Sequence, residues 1–326
     1  MLQYLVINLD DTSTPYCHYD INCGTPNLIG LEQLQKGICF AMKENLSVQV
    51  VYPDYLIPTE YKKAIDAIEH YDIVSSLCED RELCEHADVT IFHDWTSFDI
   101  YPFSNDKVYV LRTTIQDFLD RYKFLKRALH KVERLNVIFT DVENFRDINI
   151  QKYDEALSVL SSIIEECYDK GLFVQLNLLT DRLALSVMRN CNSGVDSVTL
   201  APDGKFYVCP AFYYADENED YGLGKSKTDI GDIDNGLSIK NARLYTLENA
   251  HLCSLCDAYH CQRCVWLNRK LTYEVNTPSH EQCVMAHLER NQAMKLLKRL
   301  KAKGFGFDQE IKEIDYLDPF TIRREW

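Results

Sequence analysis

Short apolar runs alternate with amphipathic stretches through the first half of the chain. Residues 3–9 are apolar, are bounded by the turn-rich Asp10–Pro15, and read as a first strand. Leu31, Leu34, Ile38 and Met42 recur at helical spacing and predict an amphipathic helix. A second strand runs from Val48 to Tyr52 and stops at Pro53. Tyr61 to Tyr71 reads as a helix with Ala64, Ile65 and Ile68 on one face. Strands follow near Ile73–Val74, at Val89–Phe92 and at Val108–Leu111. The next helix is expected over Ile115–Arg134, with Phe118, Leu119, Tyr122, Leu125 and Leu129 facing inward. Then come a strand at Asn136–Thr140, a helix over Ile150–Lys170 closed by Gly171, and a strand at Phe173–Leu179. About six such alternations define a parallel sheet covered by helices, which an open doubly wound sheet or a partial barrel would satisfy.

After Leu183 the alternation stops. Val198 to Cys209 reads as a hairpin around Pro202-Asp203-Gly204. Residues 215–236 form an acidic, Gly-containing loop, and a basic helix is expected over Ala286–Lys303, ended by Gly304.

Composition narrows the function classes. Hydrophobic residues are 46% and charged residues 26% of the 326, ordinary globular values. A net charge of −15 argues against a nucleic-acid partner, because phosphate binding needs a concentrated Lys/Arg surface. No apolar run approaches the roughly 18 residues of a membrane helix, and residues 2–9 lack the features of an export signal. The expected location is the cytoplasm, where clustered cysteines favour metal over disulfides.

Seven of the 13 cysteines lie between Cys191 and Cys283. Cys253-x2-Cys256 and Cys261-x2-Cys264 are two pairs separated by four residues, and such a turn aims both sulfurs of a pair at one metal. Two partitions are open. Cys253, Cys256, Cys261 and Cys264 could form one compact site. Alternatively the sites interleave, with Cys253, Cys256, Cys261 and Cys283 in one and Cys191, Cys209 and Cys264 in the other. One of His251, His260 and His280 could complete the three-thiolate set. Tetrahedral sulfur suits zinc and iron–sulfur alike.

Cys191-x12-Gly204-x4-Cys209, the paired cysteines and the late Cys283 resemble the SPASM domain of radical SAM peptide maturases. That domain's central block is C-x2-C-x5-C-x3-C; here the intervals are x2, x4 and x2. The resemblance implies two auxiliary 4Fe-4S clusters in the interleaved partition, and an upstream radical-SAM-like partial (β/α)6 barrel. It implies three divisions: a barrel over 1–185, a SPASM-like iron–sulfur domain over 186–290, and a C-terminal helix and tail over 291–326. Leu9 to Asp20, Ala41 to Asn45 and Val51 to Asp54 further resemble the CXXX repeat peptide maturase family. That likeness implies a place in the maturation of a Cys-rich, ribosomally made precursor peptide.

Radical SAM enzymes hold their catalytic cluster with C-x3-C-x2-C after the first strand. This chain has Cys17-x5-Cys23 there and no third cysteine, so reductive SAM cleavage is not expected. Two function classes follow: a peptide-modifying enzyme working at Cys17, His18 and Asp20, or a degenerate maturase that binds the precursor for a catalytic partner. A zinc-stabilised binding protein is the third. Other residues expected at strand C-terminal ends are Asp10, Asp11, His93, Asp94, Arg112, Thr114, Asp141, Glu143, Asn177 and Asp181. Cys39 and Cys167 read as core residues, and Cys78 and Cys84 receive no role. The basic helix, with Arg290, Lys295, Lys298, Arg299, Lys301 and Lys303, is a candidate dock for an acidic leader peptide.

Overall fold

The computed structural model describes residues 2–14, 17–18, 25–188, 191–215 and 228–307. In chain order the elements are β1 (Tyr4–Asn8), α1 (Leu31–Glu44), β2 (Ser47–Val51), α2 (Thr59–Ile65), β3 (His70–Ser75), α3 (Arg81–His86) and β4 (Val89–Phe92). There follow α4 (Trp95–Ile100), β5 (Val108–Thr113), α5 (Ile115–Arg121), α6 (Leu125–Leu129), β6 (Arg134–Phe139), α7 (Asp147–Asp169), β7 (Gln175–Leu176) and α8 (Asp181–Ala184). The remainder comprises β8 (Ser197–Leu200), β9 (Phe206–Tyr207), α9 (Pro210–Tyr214), β10 (Gly231–Asp232), β11 (Gly236–Leu237), α10 (His251–Ser254), α11 (Val265–Thr272) and α12 (His280–Ala302). The fold is α/β with parallel strands, as the alternation predicts. The chain forms two compact units: Met1–Phe92 with Asn192–Thr246, and His93–Cys191 with Leu247–Trp326.

In the first unit the strand order is β4-β3-β2-β1-β8-β9. All neighbours run parallel except β9, which returns antiparallel to β8. Leu5, Val6 and Ile7 are all buried, as expected of a parallel strand covered on both faces. Helix α1 lies close upon β8: a Cβ at Gly37 would sit 2.4 Å from Leu200 Cδ2. The β8–β9 hairpin turns through Gly204 at φ 76°, a left-handed conformation that favours glycine. Three expectations change here. Met42 is 65% exposed because the buried stripe of α1 runs through Leu34, Ile38 and Ala41. Cys39 sits on the exposed face of the same helix rather than in the core. The expected helix over Tyr61–Tyr71 spans Thr59–Ile65, because His70 and Tyr71 are drawn into β3 by pairing with β2.

His70 opens β3 with both ring nitrogens engaged: Nδ1 is 2.8 Å from the Ile68 carbonyl and Nε2 is 3.2 Å from Asp72 Oδ1. The Asp72 hydrogen bond raises its pKa to about 9, above the ordinary value near 6.5. The stability gained is therefore fully present below about pH 6.5 and is lost as pH rises through about 9. His70→Gln should flatten that dependence. In urea unfolding at pH 6 and pH 9.5, the native protein should lose roughly 1 kcal/mol more than the variant, after allowing for solvent screening of a half-buried pair.

In the second unit β5, β6 and β7 are parallel neighbours in that order. The helix expected over Ile115–Arg134 is two short helices joined by a 3-10 turn at Tyr122–Phe124. It ends early because Leu135, Val137 and Phe139 alternate with more exposed residues and are claimed by β6. The strand expected at Phe173–Leu179 is only β7, since the Leu179 and Thr180 amides fold back onto the Leu176 carbonyl at 3.0 and 2.8 Å. Helices α7 and α12 lie side by side, joined by Tyr153–Glu289 at 2.5 Å, Gln292–Asp154 at 2.8 Å and Arg299–Glu165 at 2.6 Å. Among the described residues no helix is long and apolar enough to cross a membrane.

Candidate functional site: a cysteine-lined cavity

The strand-end candidates act mainly as local organisers. Asp10, fully buried after β1, accepts hydrogen bonds from the Thr12 and Asn27 amides at 2.8 and 2.7 Å and from the Tyr55 hydroxyl at 2.8 Å. Asp11 accepts from Asn27 Nδ2 at 3.0 Å and from the Tyr213 hydroxyl. Tyr214, beside it on α9, donates to the Ser13 carbonyl at 2.8 Å. Burial and then the Asp11 contact push the Tyr213 phenol well above its usual pKa. Tyr213 and Tyr214 thus tie the segment after Cys209 to the loop after β1, a role the sequence did not single out. Cys17 and His18 are half-buried in that loop; Asp20 and Cys23 lie outside the described residues.

In the second unit the pattern repeats. Asp94 caps α4, accepting from the Ser97 amide at 2.8 Å and its hydroxyl at 2.7 Å. Although burial opposes it, these bonds hold the Asp94 carboxyl below the usual range. Burial, then the Arg112 charge, lowers His93 to about 4, so it is neutral at physiological pH. Thr114 caps α5, and Asp141 accepts the Ile115 amide at 2.8 Å. Glu143 pairs with Lys270 at 2.9 Å, Asp181 with Arg134 at 2.8 Å, and Asn177 Oδ1 accepts the Val137 amide at 2.8 Å.

A different arrangement appears where the paired cysteines meet the start of α12. Ser279 caps this helix, its hydroxyl accepting the Gln282 amide at 3.2 Å. Residues 280, 283 and 287 then fall on one helical face, one turn apart. His280, Cys283 and His287 line a cavity of about 290 Å³ together with Cys253, Cys256 and Cys261. Four cysteines from two separated segments therefore face one space. Cys264 is not among its lining residues; its sulfur accepts the Leu267 amide at 3.5 Å and caps α11. Cys191 reaches the same segment through its backbone, its amide 3.1 Å from the Gln262 carbonyl. Cys209 belongs to the first unit, where it precedes α9 and is buried.

The sulfurs sit among donors. The Ala258 amide donates to Cys256 Sγ at 3.4 Å, and His287 Nε2 is 3.5 Å from the same sulfur. The Arg263 amide donates to the Cys261 sulfur. Without a bound group, burial pushes Cys253 up to about 11, Cys283 to about 12 and Cys261 well above the usual thiol range. Among the described residues no three His, Cys, Asp or Glu side chains are grouped so as to hold a metal ion. The cysteines instead surround a volume roughly ten times the ~30 Å³ share of one water.

The wall behind the cavity is fixed by charge. Asp257, between Cys256 and Ala258, is fully buried and receives Arg290 Nη2 at 2.7 Å and Nε at 3.0 Å, with Arg182 Nη2 at 3.7 Å. The Arg182 guanidinium lies 4.4 Å from the Tyr259 ring centre. His260 does not face the cavity: its Nε2 is 3.0 Å from Glu289 on α12. Of the six cations expected as a peptide dock, Arg290, Arg299 and Lys303 are engaged within the unit. His287 and Arg263 were not singled out in the sequence; spacing of i, i+4 from Cys283 is the signal that finds His287.

No protein-family model matches the chain, and no curated protein matches it in sequence. Solved structures do share its fold. Native anSMEcpe with bound AdoMet aligns with a TM-score of 0.60 at 14% identity, covering 92% of this chain and 99% of its own. Native anSMEcpe with bound AdoMet and a Cp18Cys peptide gives 0.59 at 11% identity, over 93% and 100%. At such identities the likeness is one of fold.

Proposed function

We propose that the chain is an iron–sulfur component of a ribosomal peptide maturation system, acting on a Cys-rich precursor. Cys253, Cys256, Cys261 and Cys283 would hold one auxiliary 4Fe-4S cluster. The observation that carries this reading is the shared cavity of four cysteines drawn from two distant segments, with backbone N–H groups directed at two of the sulfurs. Such donors stabilise thiolates, and a polynuclear group brings its own sulfides and needs no single point of convergence. When bound, it supplies one-electron transfer. Cys191, Cys209 and Cys264 stay assigned to a second cluster by the SPASM resemblance alone, and the CXXX repeat substrate by the family resemblance alone.

Related folds bind AdoMet and a peptide, which supports a peptide partner here. The residues after β1 do not fit the cluster that cleaves AdoMet: two cysteines stand there and three thiolates are needed. The peptide-binding role, with catalysis supplied by a partner protein, is accordingly the reading favoured over radical catalysis by this chain. The test is incubation of the iron-loaded protein with AdoMet, dithionite and a synthetic peptide carrying Cys at every fourth position. Peptide binding without deoxyadenosine is expected. Deoxyadenosine above background would overturn the non-catalytic reading, and absence of peptide binding would overturn the substrate.

A further inference from the structure

Two cysteines to which spacing assigned no role meet beside β3 in the first unit. Cys78 lies in the turn after that strand, its amide donating to the Ser75 carbonyl at 3.1 Å. Cys84 lies in α3, its amide donating to the Asp80 carbonyl at 2.8 Å. Asp80 caps that helix, accepting the Leu83 amide at 3.3 Å, and is paired with Lys62. Between the two cysteines the Glu79 amide donates to the Asp54 carbonyl at 2.6 Å. Turn and helix are thus each tied down, and they bring the thiols together. Cys84 Sγ is 3.5 Å from the Cys78 carbonyl oxygen and also hydrogen-bonds the Cys78 thiol. Both residues are partly exposed, and Leu77 beside them is 54% exposed, so a small molecule can approach.

Two thiols in contact on a pinned backbone need little rearrangement to bond, and the more easily ionised of them is the better nucleophile. The hydrogen bond from Cys84 lowers the Cys78 pKa below the usual thiol value. Burial opposes that shift, the Asp80 amide adds to it, and the Asp80 and Asp54 carboxylates oppose it. We propose that Cys78 and Cys84 are a redox-active pair that reduces a small-molecule disulfide, Cys78 attacking and Cys84 resolving, and closes reversibly to a Cys78–Cys84 disulfide. In the first step the Cys78 thiolate attacks one sulfur of the small disulfide. The S–S bond breaks, and the departing thiolate takes up the proton that Cys78 released. The Cys84 thiol then gives up its proton and its sulfur attacks the Cys78 sulfur of the mixed disulfide. The second small thiol leaves with that proton. Two protein thiols are oxidised and one disulfide is reduced to two thiols.

The test equilibrates the full chain, purified without oxygen, in glutathione buffers of rising oxidised fraction. Free thiols are then alkylated and the chain is cut with trypsin. Residues 64–81 and 82–107 become separate peptides with one cysteine each, so closure appears as these two peptides joined. The joined pair should form at a several-fold lower oxidised fraction in the folded chain than in urea, and should vanish on reduction. Cys84→Ser should trap glutathione on Cys78, whereas Cys78→Ser should acquire it on Cys84 several-fold more slowly. Peptides that stay separate at every ratio, or equal midpoints with and without urea, would overturn the proposal. Equal trapping rates in the two variants would overturn the role of Cys78 as the attacking sulfur. Should the variants not fold, the native titration decides alone. Iron does not enter this readout, so the pair and the cluster assignment fail separately.

Discussion

Cys283→Ala protein prepared without oxygen should carry about four fewer iron atoms per chain than the native protein, whereas Cys264→Ala should keep this cluster. The contrast follows from placement. Cys283 lies in the first turn of α12 and faces the cavity with Cys253, Cys256 and Cys261. Cys264 is nearer in sequence to the pairs, yet its sulfur caps α11. A compact site built from the two pairs predicts the reverse result, with Cys264 essential and Cys283 dispensable. Iron and sulfide measured on both variants separate the two arrangements, and iron loss in Cys264→Ala with native iron content in Cys283→Ala would favour the compact one.

Asp257→Ala should destabilise the second unit by about 3 kcal/mol, the scale for breaking a buried ion pair by removing one partner. The carboxylate is fully buried between two guanidiniums, and its loss leaves Arg182 buried with a reduced counter-charge. Because Asp257 adjoins Cys256, iron binding should weaken in parallel. Asp257→Asn keeps the shape and loses the charge, so it should show much of the same effect. Urea unfolding of both variants checks this; a change below about 1 kcal/mol would mean that the arginines find other partners.

The alternation of strands and helices was legible because each parallel strand is a short apolar run and each covering helix has one apolar face. The failures have local causes. Tyr122 and Leu125 continue a helical spacing through a segment that tightens into a 3-10 turn, and spacing does not distinguish the two. Helix α12 was read from its cations as a basic surface helix beginning near Ala286. It begins at His280 and is buried along most of its length, with Arg290, Arg299 and Lys303 spent on carboxylates of the same unit.

The candidate site was partly legible in the same way. Spacing placed Cys253, Cys256 and Cys261 in one turn-rich segment and left two partitions open; Cys283 joined them only in the interleaved one, and the cavity the four share is visible only in the tertiary structure. His287 was missed because the expected helix began at Ala286 and left Cys283 outside it, so their i, i+4 spacing was not read, and an arginine between cysteines carries no spacing signal by itself. The strand-end acids Asp10, Asp94 and Asp141 were visible as polar residues in the right places. Their hydrogen bonds to loop and helix amides, which sequence does not show, assign them to shaping the chain.

The most direct measurement is the metal content of the native chain isolated without oxygen. Iron and acid-labile sulfide in equal amounts, at about four of each per cluster and with little zinc, is the predicted result. About one zinc per chain with no sulfide would contradict it, and the four cysteines would then belong to a structural zinc site.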